Sequence, residues 1–457
     1  MNLFVKTFAL LVSGLIATLP ANAEALRDAV RFAVTTNPSV KATEAEMRAA
    51  AFELMQLERE YLPSVYLEAE AGYQNVDDPE NLSDEDNNTT QPRQKLGLRG
   101  ELVLFDGFRR ANLVYANAAR VDGSVFRLLD ASETMALNAT EAYIDVYRHR
   151  ALMVVAEENV KKHKEIGERV RELVRGGRLP FSDELTIDDR IRSAELALIR
   201  VQRALRDANA RYERVIGRPP GGGMTVPRAP VPQSLQALTA EAIEKSYRVQ
   251  FARTQIDQSK FQAEVVLADR QPRITLNAGV VREINRNGVD STRTDQTIGL
   301  GLRWTLWQGG RKAEENALAE QTSRAFSQQA VAVREVTELA ARTWNTFITN
   351  VERDHRLQEQ LRINRLIVEV YGDEFLAAKR TLLDLLEVER ARFNVEFESV
   401  GAQAALAFST YRTLATRSRL AEHFGLAKAD LALEPSFLSR ASKEPITVFD
   451  VSIEPLE

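Results

Sequence analysis

The chain contains no cysteine. This absence excludes disulfides, thiolate metal sites, a cysteine nucleophile and a lipid anchor on an N-terminal cysteine. Glycine (22) and proline (15) are few for 457 residues, which favours long uninterrupted helices. Aromatic residues make up only 7%, and a formal net charge of −5 is unlike the clustered basic surplus of nucleic-acid-binding proteins, so we expect no nucleic acid among the partners.

Long apolar runs are absent except at the N-terminus. Lys6 precedes an apolar stretch at residues 8–19, and Ala21-Asn22-Ala23 then forms an A-x-A cleavage site. This pattern predicts a secretory signal peptide over residues 1–23. The alternative is a short membrane anchor, although the stretch falls short of the ~20 apolar residues that a spanning helix requires.

Two stretches of the chain repeat the same alternation of apolar side chains with other side chains. Residues 95–109 (KLGLRGELVLFDGFR) and residues 297–311 (TIGLGLRWTLWQGGR) each have the period of two that is typical of a β-strand, and each ends its alternation at glycine. Gly309 follows Gly107 by 202 residues. The repetition indicates an internal duplication.

Each copy is predicted to consist of a short helix, a β-hairpin, a long helix and a returning helix. In the second copy the first helix is predicted over residues 235–270, and the glycine- and proline-rich residues 221–232 indicate a linker. The predicted organisation is a signal peptide at 1–23, a first repeat at 24–217 with its hairpin at 64–105, a linker at 218–233, a second repeat at 234–425 with its hairpin at 273–307, and a C-terminal tail at 426–457.

The predicted fold is mainly α with a membrane β-sheet. Four alternating strands cannot close a membrane barrel, which needs about eight or more, and an open sheet would leave unpaired edges in lipid. Other copies of the chain must therefore complete the sheet, and three copies supply 12 strands. The long amphipathic helices are expected to pack side by side as a helical tube.

Several short motifs recur in a fixed order behind the predicted signal peptide. They are Asn37-Pro38, Leu62-Pro63, Leu104-Phe105-Asp106-Gly107 with its counterpart Leu306-Trp307-Gln308-Gly309-Gly310, and Arg380-Thr381-Leu382-Leu383-Asp384. In this order the chain resembles the TolC-like outer-membrane channel family, the outer-membrane efflux proteins. Two departures are Ser246-Tyr247, where the second copy would repeat Asn37-Pro38, and Ala378, where the first turn has Gly177.

The resemblance implies a homotrimer in the lipid of the cell outer membrane, with a large periplasmic portion. It implies a 12-stranded β-barrel above a periplasmic α-barrel of long antiparallel helices. It also implies two partners, a periplasmic adaptor (membrane fusion) protein and an inner-membrane transporter.

The gate of such a channel is predicted at Asp384 and Glu387. They are three residues apart, hence on one helical face, and threefold symmetry would bring six carboxylates together, which attracts cations. The resemblance matches this pair to the family's acidic constriction. The alternative is that Asp384 is only a first-turn helix residue near Thr381 and that Glu387 is a solvated charge.

The periplasmic tip is predicted to include the turns between the long helices and the returning helices. By resemblance, Arg380, Thr381 and Phe375 match tip positions, and the arginine is expected to pair across with Asp183 in the other turn. Ser182 is predicted to cap the returning helix of the first copy.

Five charged residues of the alternating strands are predicted to line the barrel lumen, since buried charge is costly and these faces should meet water. The alternative reading, compatible with the first, is ordinary cross-strand pairing on a wet sheet face. The predicted lumen residues are Glu68, Glu70, Arg99, Glu101 and Arg303.

No motif for catalysis or cofactor binding is present. The four histidines lack metal-ligand spacing, and neither a nucleophile motif nor a phosphate or dinucleotide loop occurs, so we expect no enzyme activity, cofactor or metal. The predicted function is an export channel for type I protein secretion. Small-molecule efflux of drugs or metals is the first alternative, and a non-pore periplasmic coiled-coil scaffold is the second.

Overall fold

The computed structural model describes residues 24–80, 82, 87–288 and 290–426. The predicted signal peptide and nearly all of the predicted tail lie outside this range. The helices are α1 Leu26–Thr36, α2 Pro38–Arg59, α3 Arg109–Arg175, α4 Phe181–Ile216, α5 Leu235–Lys245, α6 Tyr247–Ala268, α7 Arg311–Leu376, α8 Leu382–Thr416 and α9 Leu420–His423. The strands are β1 Glu24–Ala25, β2 Ser64–Asn75, β3 Thr90–Phe105, β4 Met224–Thr225, β5 Arg273–Ile284 and β6 Thr292–Arg303.

Four of the strands form one antiparallel sheet in the order β2-β3-β5-β6. Within the first hairpin Ser64 lies opposite Glu101, and within the second Arg273 lies opposite Arg303. Strands β3 and β5 join the two hairpins, with Glu101 opposite Asn277. Within the described part of the chain, strands β2 and β6 are therefore the two edges of the sheet.

Each repeat begins with two helices separated by one residue that is not helical. In the first repeat Asn37 caps α2, where its Oδ1 accepts a hydrogen bond from the backbone N–H of Ser39 at 3.0 Å and Pro38 occupies the first helical position. In the second repeat Ser246 interrupts the helix with ψ near 121° and makes no side-chain cap bond. The prediction of one continuous helix over 235–270 was therefore wrong at Ser246. The second repeat has the same break as the first but lacks the proline that indicates it in the sequence.

The turns after α3 and α7 have matching backbone geometry. Gly177 has φ +71° and Ala378 has φ +57°. In both turns the next N–H donates to a carbonyl five residues back, from Arg178 to Leu173 at 2.9 Å and from Lys379 to Glu374 at 2.8 Å. The departure from glycine at Ala378 thus leaves the geometry intact, at the expense of a left-handed conformation that an alanine adopts less readily.

A buried arginine joins the first hairpin to α3. Arg110 is 7% exposed, and its Nε donates to Asp106 Oδ2 at 2.7 Å. Its Nη1 donates to the carbonyl of Glu60 at 3.2 Å and its Nη2 to that of Val103 at 3.0 Å. The guanidinium also lies 4.5 Å from the ring centroid of Tyr61. One side chain therefore fixes the end of α2, the end of β3 and the start of α3 together.

The chain divides into two compact units, and each draws residues from both predicted repeats. The first unit comprises 24–33, Asn138–Ala229 and Asn350–Phe408. Its cores are clusters of aliphatic and aromatic side chains on the long helices, one of them around Phe375 and another around Leu152.

The second unit comprises Val34–Leu137, Pro230–Thr349 and residues 409–426. It holds the four-stranded sheet together with the first part of α3 and α7. Its cores lie around Leu54, Leu238 and Met47. None of the described helices combines the length and the apolarity needed to cross a bilayer.

Candidate functional site

The sheet has one charged face and one apolar face. Because side chains alternate along a strand and opposite residues share a face, the observed register places all five predicted lumen residues on the same side. These residues are Glu68, Glu70, Arg99, Glu101 and Arg303. The other side carries aliphatic side chains that are open to the surroundings in this chain, including Ile298, which is 80% exposed, and Leu300, which is 72% exposed.

Cross-strand ion pairs connect the acids of the charged face. Lys95 Nζ lies 3.2 Å from Glu68 Oε2 and 3.9 Å from Glu70 Oε1. Arg273 Nη2 lies 3.5 Å from Glu101 Oε1. Lys95 and Arg273 were missed in the sequence, although the alternation puts both on the charged face. The arrangement matches the compatible reading of ordinary cross-strand pairs on a wet face.

A second group of charges lies toward the loop end of the sheet and was also missed. Glu283 is 8% exposed, and its carboxylate lies 3.4 Å from Arg93 and 3.3 Å from Arg286. Asp295 Oδ1 accepts from Arg293 Nε at 2.8 Å. The charged face therefore continues along the sheet, with acids and bases interspersed.

At the second turn Arg380 binds groups of its own turn and not Asp183. Arg380 Nε donates to Glu374 Oε2 at 2.9 Å, and its guanidinium lies 4.3 Å from the ring centroid of Tyr371. Ala378, in the left-handed conformation, lies between α7 and Arg380, and the acid that the arginine contacts is Glu374 in the last turn of α7. The expected pairing with Asp183 is thus absent from the described chain.

The first turn has its own cation, which the sequence reading missed. Arg171 Nη2 donates to Asp188 at 2.6 Å and Nη1 donates to Glu168 at 2.9 Å. Asp183 lies half-buried in the first turn of α4. Pro180 is the N-cap of this helix and makes no side-chain cap bond, so the prediction of Ser182 as the cap was wrong; Ser182 is already helical.

Phe375 contributes to a core and is not an exposed tip side chain. It is 6% exposed and packs with Val170, Ile187 and Leu382 at the ends of α3, α4, α7 and α8. The aromatic ring therefore holds the two turns together by apolar contact.

Thr381 and Asp384 form a reciprocal cap at the start of α8. Asp384 Oδ2 accepts from the Thr381 N–H at 3.1 Å and from its hydroxyl at 2.8 Å, while the Asp384 N–H donates to Thr381 Oγ1 at 3.2 Å. This is a capping box. The hydrogen bonds from Thr381 hold the pKa of the Asp384 carboxyl below its ordinary value. Asp384 is thus a first-turn helix residue, as the alternative reading expects, and it remains ionised at neutral pH.

Glu387 is exposed one turn further along α8. It lines a groove together with the basic side chains of Arg190, Arg200 and Arg390 and with the buried His163. The positive charges of these arginines therefore offset the negative charge of Glu387 in the groove. Among the described residues no cluster of histidine and acidic side chains is arranged to hold a metal ion.

The comparisons with known proteins point to one family. Residues 30–218 match the family model described as "Outer membrane efflux protein". The outer membrane efflux protein BepC of Brucella suis biovar 1 (strain 1330) is 24% identical over 356 residues, which cover 75% of this chain and 76% of BepC.

Solved structures share the fold at low sequence identity. The Campylobacter jejuni CmeC outer membrane channel superposes with a TM-score of 0.76 over 90% of each chain at 13% identity. The open state of the Neisseria gonorrhoeae MtrE outer membrane channel gives a TM-score of 0.71 over 86% of this chain and 88% of that chain at 17% identity. The predicted fold class, long helices with a four-stranded contribution to a sheet, is confirmed.

Proposed function

We propose that this chain, which belongs to the outer-membrane efflux protein family, forms a passive channel through which an export system delivers its substrates. The chain is an outer-membrane protein with a large periplasmic helical portion. Its family consists of channel and transport components and is not a family of enzymes. The observation that carries the proposal is a sheet with one charged face, one exposed apolar face and two edges that have no partner strand among the described residues.

A homotrimer is the assembly that we infer from this sheet. Edges cannot remain open in a bilayer, and three copies bring twelve strands, which suffices for a closed barrel. The charged face would then line a water-filled lumen and the apolar face would meet lipid. A periplasmic adaptor and an inner-membrane transporter complete the proposed export system.

The proposed gate remains Asp384 and Glu387. Asp384 is ionised at neutral pH, and the hydrogen bonds from Thr381 lower its pKa further below the ordinary value. Three copies would therefore present three fixed negative charges and three exposed Glu387 side chains. Crowded carboxylates of this kind favour cations in a pore. Arg190, Arg200 and Arg390 beside Glu387 offset part of this charge, and Arg380 does the same at Asp384.

Single-channel conductance in a planar bilayer tests both the pore and the gate. The parent protein should give cation-selective steps, and Asp384→Asn/Glu387→Gln should give steps with weaker cation selectivity. Thr381→Ala is the matched control, because it removes the cap of α8 and keeps both carboxylates. It should change the frequency or stability of the steps more than their selectivity.

Two results would count against this proposal in different ways. Steps whose selectivity is the same in parent and double variant would retain the channel and remove Asp384 and Glu387 from the gate. A folded protein that leaves the outer membrane without detergent and gives no steps would favour a coiled-coil scaffold. The exposed apolar face of the sheet argues against that scaffold, because a periplasmic scaffold would leave this large apolar surface in water.

Type I protein secretion is the substrate class that we propose first, on the tip sequence RTLLDLLEVE at residues 380–389 and the absence of a cysteine for lipidation. Small-molecule efflux is the second candidate, favoured by the likeness to BepC, whose name describes an efflux protein. Deleting the chain in its native host separates them. Loss of a secreted protein from the medium supports the first, and increased sensitivity to drugs or metals with an unchanged secreted fraction supports the second.

A further inference from the structure

The first compact unit contains a groove between α3, α4 and α8. Its volume is about 750 Å³, which lies within the range of small-molecule binding sites. Every residue of its lining belongs to this one unit. The described lining includes three arginines, Arg190, Arg200 and Arg390, and one acid, Glu387. The groove is therefore positively charged overall.

The three arginines of the groove form no ion pair with any described residue. On α4, neither Arg190 nor Arg200 has an acid three or four positions away, where a partner on the same helix would lie. Arg390 follows Glu387 by three positions, yet the two side chains do not come within ion-pair distance. The guanidinium groups therefore keep their hydrogen-bond donors available to a ligand.

Other arginines on the same two helices are neutralised within the unit. On α4 the guanidinium of Arg192 lies 3.0 Å from Glu195. On α8 that of Arg392 lies 2.9 Å from Glu389 and 2.6 Å from Glu396. Ion pairing of arginines is thus common on these helices, and the groove brings together three that lack it.

A buried amide on α3 completes the polar lining of the groove. Asn159 is 5% exposed, and its side-chain oxygen Oδ1 is enclosed without a hydrogen bond from any described residue. Its backbone carbonyl accepts a hydrogen bond from Nδ1 of His163 at 2.8 Å, which holds the imidazole against the same wall. A buried acceptor without a donor costs free energy. The wall of the groove therefore offers an acceptor to a ligand that carries a donor.

Small side chains on α4 shape the space between two of the arginines. Ser193, Ala194 and Ala197 lie between Arg190 and Arg200 on the face of α4 that lines the groove. Ten residues of helix separate the two arginines, a rise of about 15 Å. An extended ligand with more than one anionic group fits this spacing better than a single small ion does.

We propose that this groove binds a small organic polycarboxylate that also carries a hydrogen-bond donor. The arginines hold its carboxylates through charge-assisted hydrogen bonds, and its hydroxyl or amino group donates to Oδ1 of Asn159. Leu383, Leu386 and Phe393 provide an apolar surface for its carbon chain. The proposal concerns a binding site built by a single chain, so it does not depend on the channel activity proposed above.

Isothermal titration calorimetry of the full protein in lipid nanodiscs, at low ionic strength to limit screening, tests the site with citrate as the probe. Tricarballylate carries the same carboxylates but lacks the hydroxyl of citrate, so it is the matched control ligand. The parent protein should bind citrate saturably and about fivefold more tightly than tricarballylate, because the hydroxyl adds one hydrogen bond. Asn159→Leu should bind the two ligands equally.

Two double variants on α4 separate the groove from the net charge of the protein. Arg190→Gln/Arg200→Gln removes two arginines of the groove and should weaken citrate binding at least about tenfold. Arg192→Gln/Arg203→Gln removes the same charge from side chains that are 78% and 80% exposed and lie outside the lining. This control should stay within about twofold of the parent, because solvent and salt screen exposed charges.

A folded parent protein that gives no saturable heat with citrate would overturn the proposal. Equal weakening by both double variants would overturn it as well, since binding would then follow net charge. A preference for citrate that persists in Asn159→Leu would overturn the role of the buried amide. A parent protein that conducts but binds no citrate would lose only this inference, whereas one that binds citrate but does not conduct would lose only the channel.

Discussion

Replacing Arg110 by methionine should cost the protein about 3–5 kcal/mol of unfolding free energy, the range for breaking a buried ion pair on one side. The side chain is 7% exposed and its hydrogen bonds reach Asp106 and the carbonyls of Glu60 and Val103. Methionine fills much of the same space but donates none of these bonds. It also leaves the Asp106 carboxylate, only 13% exposed, with its cation removed.

Two further variants, one at Arg109 and one at both Asp106 and Arg110, complete the experiment. Arg109→Met removes the same charge one residue earlier, where the side chain is 48% exposed and 3.6 Å from Asp269. Exposed pairs of this kind contribute about 0–1 kcal/mol. Asp106→Leu/Arg110→Met removes both charges, and a buried pair replaced by apolar groups loses little or gains stability. The double variant should therefore recover most of the loss.

Equilibrium denaturation of the detergent-solubilised protein, followed by circular dichroism, measures these differences as shifts in the midpoint. We expect the largest shift for Arg110→Met, a small one for Arg109→Met and partial recovery in the double variant. Equal shifts for Arg109→Met and Arg110→Met would refute the view that burial and the four contacts make Arg110 exceptional. A double variant worse than Arg110→Met would show that Asp106 acts through partners other than this arginine.

Three further predictions concern single positions. Both Ala378 and Gly177 have positive φ, a conformation that glycine adopts more readily than alanine. Ala378→Gly should therefore stabilise its turn by about 1 kcal/mol, and Gly177→Ala should destabilise its turn by a similar amount. Amide hydrogen exchange at the two turns measures both changes. Burial raises the pKa of Glu133 from 4.5 to about 7, so the folded protein keeps a proton that the unfolded chain releases at lower pH. The stability of the parent relative to Glu133→Gln should therefore be greatest in acid and fall by up to about 3 kcal/mol as the pH rises from about 4.5 to 7. Melting temperatures of the two proteins that differ by the same amount at every pH in this range would contradict the prediction. Asn37→Ala should cost about 1 kcal/mol through loss of the α2 cap, whereas Ser246→Ala, which removes no cap bond, should cost less in the same thermal assay.

The faces of the strands were predictable because a period of two is a local property. Glu68 and Arg99 belong to the charged face on alternation alone, and the register confirms that they share it. Which cation each acid meets was not predictable, since that depends on how strands align over tens of residues. Lys95 reaches Glu68 only because β2 and β3 pair in one particular register.

The partners of side chains at turns and in cores could not be predicted from the sequence, because they depend on backbone geometry and on contacts between distant parts of the chain. Several acidic residues lie close to Arg380 in the sequence. Which of them it binds depends on the left-handed backbone at Ala378, and the observed partner is Glu374. Glu133 looks like one more charged residue on a long helix. It is in fact buried, and the backbone N–H groups of Leu420 and Ala421, nearly 290 residues later, donate to its carboxylate at 3.0 and 3.1 Å.

The two junctions between sheet and long helix differ where the two copies otherwise agree. The first junction is completed within the chain, where Asp106 and Arg110 form a buried ion pair at 2.7 Å. At the second junction Gln308 and Lys312 occupy the positions of Asp106 and Arg110, and Lys312 is an exposed side chain whose Nζ lies 3.8 Å from Glu315. A duplicated unit has no local reason to keep one junction closed and the other exposed. The difference is accounted for if the second junction is completed only in the proposed trimer, where a neighbouring copy would cover the exposed Trp307.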